Sequence, residues 1–229
     1  MHYKRNCFCN VLKHGRKLKM HKTYVFISLF FFISIFIPFF ISAEDENNDN
    51  IAKIDEKVKE WTLKDVEEKT QSLEKLAKDK KAVVLIFLAT ECPPMDDYVD
   101  RIVKLFKDYK EKDVQFIGIH SNKHEKIEDI KKYRAKHKLE FPILKDTENV
   151  IADYFQARRT PEVFVIDSDL KLRYKGAIDD NRKTPKKHYL TNILNLLLEG
   201  KVIPDKQKKT RAIGCTIKRV RKADLDRTP

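Results

Sequence analysis

Between residues 59 and 200 the chain alternates short apolar runs with charged stretches of helical spacing. Ala82–Ala89 is eight apolar residues in a row, the pattern of a strand buried on both faces. After Cys92–Pro93–Pro94, the residues Met95, Val99, Ile102, Phe106 and Tyr109 recur at steps of four and three, lining one face of a long helix. Val114–Ile119 reads as a second buried strand, and residues 125–138 as a charged surface helix. Val150, Ile151, Tyr154 and Phe155 place another helix over residues 148–156. Glu162–Ile166 is a third strand, Asp167–Ser168–Asp169 is turn chemistry, and Leu170–Ala177 alternates as the return strand of a hairpin. Leu190, Ile193, Leu194 and Leu197 form one face of a helix from Pro185 to Glu199, with Gly200 suited to its C-terminal stop. This order predicts an α/β domain over residues 59–200, three layers (α/β/α) around a central mixed sheet.

The two ends differ in pattern. Val25–Ala43 is nineteen residues without a charge, preceded by basic residues and followed by Glu44–Asp45–Glu46. That asymmetry orients the chain outward, so residues 1–43 are expected to be a signal peptide or a membrane anchor through residues 25–43. Pro38 breaks the apolar helix five residues before Ala43, which suits cleavage, while the length also suits an anchor. A start at Met20 would give a compact basic leader, and Cys7 and Cys9 ahead of it read as incidental. Residues 44–58, acidic and Asn-rich, are expected to be a tether. Residues 201–229 form a basic tail carrying Cys215, expected to be solvated except at the small apolar island Ile213–Ile217, which suggests docking on the domain.

Charge then excludes one class of function. The formal net charge is +13, but residues 1–43 carry seven Lys/Arg and no acid, and residues 201–229 carry ten against three. The middle is nearly neutral, with 31 basic and 32 acidic residues, so no basic face is built into the predicted fold and no nucleic-acid partner is expected. The exported part contains two cysteines, Cys92 and Cys215, in a compartment where disulfides form. Cys92 stands between a buried strand and a helix start, where the helix dipole and free N–H groups stabilise a thiolate. Glu91, Asp96 and Asp97 oppose that effect, so the thiol is expected to be moderately activated. A thiolate is the nucleophile in disulfide exchange and in attack on peroxide. An inert buried cysteine closing the strand is the alternative reading.

The strand, the Cys92–Pro93 helix start, Thr160–Pro161 before a strand, and the closing hairpin and helix together resemble the thioredoxin fold. Within it, Arg159–Asp167, Tyr174–Asp180, His188–Leu190 and Gly214–Cys215 resemble exported redoxins of the alkyl-hydroperoxide-reductase/thiol-specific-antioxidant superfamily. The resemblance covers residues 59–219. It implies a thiol oxidoreductase that needs no bound cofactor, with a thiol reductant or a disulfide-bearing protein as partner. It also implies Cys92 as catalytic nucleophile, and Thr160 and a cis Pro161 as the substrate-binding pair beside it. Cys215 would be a catalytic resolving thiol or a permanent disulfide partner. Two departures stand out. Position 95 is Met, so there is no Cys-x-x-Cys pair. Leu85 and Ala89 stand where peroxiredoxins carry Pro and Thr, which argues against efficient peroxide reduction. The alternatives are a non-catalytic module with a structural Cys92–Cys215 bond, or metal delivery through His120 and His124. With one cysteine in the active loop, no metal ligand is assigned. His137 and His188 read as surface helix residues.

Overall fold

A computed structural model of the chain describes residues 50–221. The predicted leader at residues 1–43 lies outside them, as do residues 222–229. The elements in chain order are β1 (Thr62–Asp65), β2 (Thr70–Ser72), α1 (Leu73–Ala77), β3 (Ala82–Leu88) and α2 (Pro93–Tyr109). Next come β4 (Val114–His120), α3 (Ile127–His137), β5 (Ile143–Lys145), α4 (Val150–Tyr154), β6 (Arg159–Thr160) and β7 (Glu162–Asp167). β8 (Leu172–Gly176), α5 (Tyr189–Leu198) and β9 (Cys215–Thr216) complete the chain. Among them no helix is long and apolar enough to cross a membrane.

Seven strands form one mixed sheet in the order β2–β1–β5–β4–β3–β7–β8. β3 sits centrally, parallel to β4 and antiparallel to β7. Because successive side chains of a strand point to opposite faces, its uninterrupted apolar run feeds both cores. Val84, Ile86 and Leu88 pack with α2, α3 and α5, while Val83, Leu85 and Phe87 pack with α1 and α4. This is the three-layer α/β/α arrangement expected from the pattern. The last helix starts at Tyr189, four residues later than its periodicity suggests. The Asp180 carboxylate accepts from the Lys186 and Lys187 amides at 2.8 and 2.9 Å, holding residues 180–187 as a loop.

One expectation needs correction. The described part of the supposed tether, residues 50–58, is docked. Ala52 and Val58 are buried, and the amides of Ala52, Asp55 and Val58 donate to the carbonyls of Tyr154, Leu172 and Leu170 at 2.7–2.8 Å. A few apolar residues among acidic ones were enough to cover the sheet beside β8 and α4. The tail over residues 201–221 keeps most of its side chains exposed and docks at a few apolar positions, as the island Ile213–Ile217 suggested. Ile203, Ala212 and Ile217 are buried, while Ile213, from the same apolar island, is 49% exposed.

Candidate functional site

The apolar run of β3 ends at the buried Ala89, and the chain turns through Thr90 and Glu91 to Cys92, the N-cap of α2. Pro93 and Pro94 occupy the first two helical positions, where a missing N–H costs little. They also supply no donor to the thiol, and the Met95 amide turns back to the Cys92 carbonyl at 2.7 Å. The favourable field at Cys92 therefore comes from the dipole of a 17-residue helix more than from its first amides. Of the opposing carboxylates, Asp97 pairs with Arg182 at 3.2 Å and Glu91 lies 3.7 Å from His124. Cys92 is only 3% exposed, and its Sγ donates to the Thr160 carbonyl at 3.3 Å.

Thr160 and Pro161 reach this point at the end of β6, joined by a cis peptide bond. The tail runs antiparallel to them, with Cys215 opposite Thr160 and Thr216 opposite Arg159. Gly214 makes the approach feasible, since a Cβ there would run into the Thr160 carbonyl. Further ties flank Cys215. Arg159 Nη1 donates to the Gly214 carbonyl at 3.2 Å, and the Ile217 amide donates to the Arg158 carbonyl at 3.1 Å. The amides of Lys218 and Val220 donate to the side-chain oxygens of Asn122 and Asn149, each at 2.7 Å. Cys92 and Cys215 are both thiols, and Cys215 is half-buried. Burial, with the neighbouring Cys92 sulfur as hydrogen-bond partner and charge, pushes the Cys215 thiol up to about 11. Lys218 and Arg159 oppose the shift. The structure thus brings together all four residues singled out in the sequence: Cys92, Thr160, Pro161 and Cys215.

A second, buried layer, marked by no pattern in the sequence, supports the loop that carries Cys92. One Glu125 oxygen accepts from both the Thr90 amide and its hydroxyl, the latter at 2.9 Å. The other oxygen bonds His120 Nδ1 at 3.0 Å. Burial alone would raise this carboxyl, but the bonds and charge from His120 and the two Thr90 donors outweigh it and hold it below its ordinary range. On α3, the buried Tyr133 hydroxyl has no partner, and burial with the nearby Asp96, Cys92 and Glu125 charges raises it. A histidine that ends a strand and a glutamate five residues on carry no signature of a contact in the sequence, so only the fold reveals their junction. His120 is fully buried against Glu125 whereas His124 is exposed beside Glu91, so the two do not share a site. Among the described residues no cluster of three or more His, Cys, Asp or Glu could hold a metal ion. His137 is partly buried, its ring 4.3 Å from that of Tyr133.

The chain is similar to the thiol-disulfide oxidoreductase ResA of Halalkalibacterium halodurans, 25% identical over 149 residues, covering 65% of this chain and 82% of that one. An uncharacterized conserved protein from Geobacillus kaustophilus has a solved structure 30% identical to it, with a TM-score of 0.67 over 74% of this chain and 93% of that one. Peroxidoxin BcpB from Mycobacterium tuberculosis, at 21% identity and a TM-score of 0.52 over 66% of this chain and 99% of that one, shares the fold. Residues 54–175, more than half of the chain, match the AhpC/TSA family. The site reaches beyond that match at one point, Cys215, which the tail supplies. Thioredoxin-like in fold and redoxin in its matched residues, the chain belongs to the AhpC/TSA family.

Proposed function

We propose that the chain is a thiol–disulfide oxidoreductase that cycles Cys92 and Cys215 between dithiol and disulfide. The observation that carries this reading is the pairing of Cys215 with Thr160, the residue whose carbonyl accepts from the Cys92 thiol. Cys92 supplies the sulfur at the N-cap of α2, and Cys215 supplies the second sulfur that an adjacent Cys-x-x-Cys would otherwise provide. The likeness to ResA, named a thiol-disulfide oxidoreductase, supports the same chemistry. Leu85 and Ala89, both buried and apolar, offer a peroxide no donor, so disulfides and dithiols are preferred over hydroperoxides as substrates. The basic–apolar–acidic order of residues 1–46 supports action outside the cytoplasm, with residues 25–43 as leader or anchor.

The burial of Cys92 favours a second reading, a module in which a Cys92–Cys215 bond is only structural. Catalysed reduction of insulin disulfides by dithiothreitol separates the two. The proposal expects turnover that falls at least tenfold in both Cys92→Ser and Cys215→Ser. Turnover equal to the uncatalysed rate supports the static module and contradicts the proposal.

A further inference from the structure

We infer that the surface around Cys215 docks an acidic segment of the partner protein, with an apolar residue of that segment covering Ile213. This rests on the reading of Cys92 and Cys215 as the pair that exchanges with a partner. Ile213 is 49% exposed, two residues from Cys215, although it belongs to the same island as the buried Ile217. Cations gather beside it. Arg211 and Lys218 are exposed on the tail, Arg158 precedes β6 and Arg159 opens it, and Lys175 of β8 bridges to Lys209. Among the described residues, no carboxylate forms an ion pair with any of these six. Arg159 Nη1 donates instead to two neutral acceptors, the Gly214 carbonyl at 3.2 Å and Thr216 Oγ1 at 3.1 Å.

The acids placed among these cations are engaged elsewhere. Glu162 Oε2 accepts from the Arg158 and Arg159 amides at 2.7 and 3.0 Å, and Asp153 pairs with Arg219 at 2.6 Å. Asp153, Gln156, Arg158, Arg159, Thr216 and Arg219 line a cleft of about 480 Å³, which has room for carboxylate side chains. Burial, with the charges of Lys209 and Arg158, holds the Lys175 ammonium below its ordinary value against the opposing charge of Glu162. An arriving carboxylate relieves that crowding. An apolar residue rimmed by charge of one sign suits docking, since the centre buries area and the rim selects and orients the partner. At the start of α2 the sign reverses, with Glu91 and Asp96 exposed. The acidic residues of the segment therefore belong over the tail and not over the helix start, which orients the segment as its sulfur approaches the pair.

The probe is a short fluorescent peptide in which a Leu and a Ser, the Ser standing for the partner's cysteine, are flanked by Asp. Companion peptides carry Gln or Lys in place of Asp, and binding to the full chain is read by fluorescence anisotropy. The probe has no sulfur, so docking is read whether or not the two cysteines cycle, and insulin turnover tests the cycling separately. The Asp peptide is expected to bind at least tenfold tighter than the Gln peptide. That advantage should vanish in about 1 M salt, where the screening length falls to about 3 Å. Arg158→Glu combined with Lys209→Glu is expected to weaken the Asp peptide at least tenfold. Lys107→Glu combined with Lys112→Glu changes the net charge equally near the end of α2 remote from Cys92, and should weaken it less than threefold. Ile213→Ser, which changes no charge, is expected to weaken it at least threefold. Equal binding of the Asp and Gln peptides, equal loss in the two double variants, or unchanged affinity in Ile213→Ser overturns the inference. Binding to phosphatidylglycerol vesicles through Arg158 and Lys209, without binding of the Asp peptide, would assign the patch to a lipid surface and also overturn it.

Discussion

Replacing Glu125 with Gln removes the carboxylate that accepts from Thr90 and His120 and so fixes the loop leading into Cys92. Losing buried, charge-assisted bonds of this kind costs about 2 kcal/mol. The folded carboxyl lies below its ordinary 4.5, so its stabilisation is full above that value and is lost as the pH falls through the lower folded value. Urea unfolding of Glu125→Gln should show the deficit at pH 7, narrowing below about pH 4.5. Cys215 behaves in the opposite sense. Raised from 9.0 to about 11, it contributes stability below pH 9 that is lost as the pH rises through 11, and Cys215→Ser should not show that loss. The urea midpoint, followed by the fluorescence of Trp61, measures both. Cys92 was legible in the sequence because it stands at a strand end that the apolar pattern marks, and Thr160 and Pro161 because they resemble the pair that precedes a strand in the thioredoxin fold. Glu125, His120 and Tyr133 were not, because their meeting depends on where β4 and α3 lie in space.

At the scale of elements, the apolar island of the tail marked its docking, but nothing in the sequence marked the strand it would pair with. Its basic residues dominate any local reading, and a two-residue strand such as β9 leaves no periodicity to find. Yet a single buried side chain, Ile217 at 4% exposure, does much to anchor it. Truncating a buried isoleucine to alanine costs about 2–5 kcal/mol, and here much of that falls on docking of the tail. Alkylation of Cys92 by iodoacetamide at pH 8 should therefore accelerate at least tenfold in Ile217→Ala. Gly214→Ala should do the same for a different reason, because its new Cβ meets the Thr160 carbonyl. An unchanged rate in both variants would mean that the tail does not shield Cys92. The long elements β3, α2, β4 and β7 were predictable because their own patterns determine them. The short strands β1, β2 and β5 were not, since three or four residues of mixed polarity acquire a strand only from their neighbours in the sheet.

In the whole molecule, a domain of the family carries a docked tail that holds the second cysteine of the proposed redox pair. Oxidation would link residues 92 and 215, which closes most of the described chain into a loop. An unstrained link over such a span stabilises by about 4–5 kcal/mol in the chain-entropy view. The oxidised protein should accordingly melt at a higher temperature than the reduced one, by several degrees for a domain of this size. Thermal scans with and without dithiothreitol check this. The most direct test of the central claim is equilibration of the full chain in glutathione buffers of graded oxidised-to-reduced ratio, followed by acid quench and non-reducing peptide mapping. The account predicts a Cys92–Cys215 disulfide whose occupancy rises and falls reversibly with that ratio. Both thiols remaining free in the most oxidising buffer, or a bond that persists in the most reducing one, would contradict it.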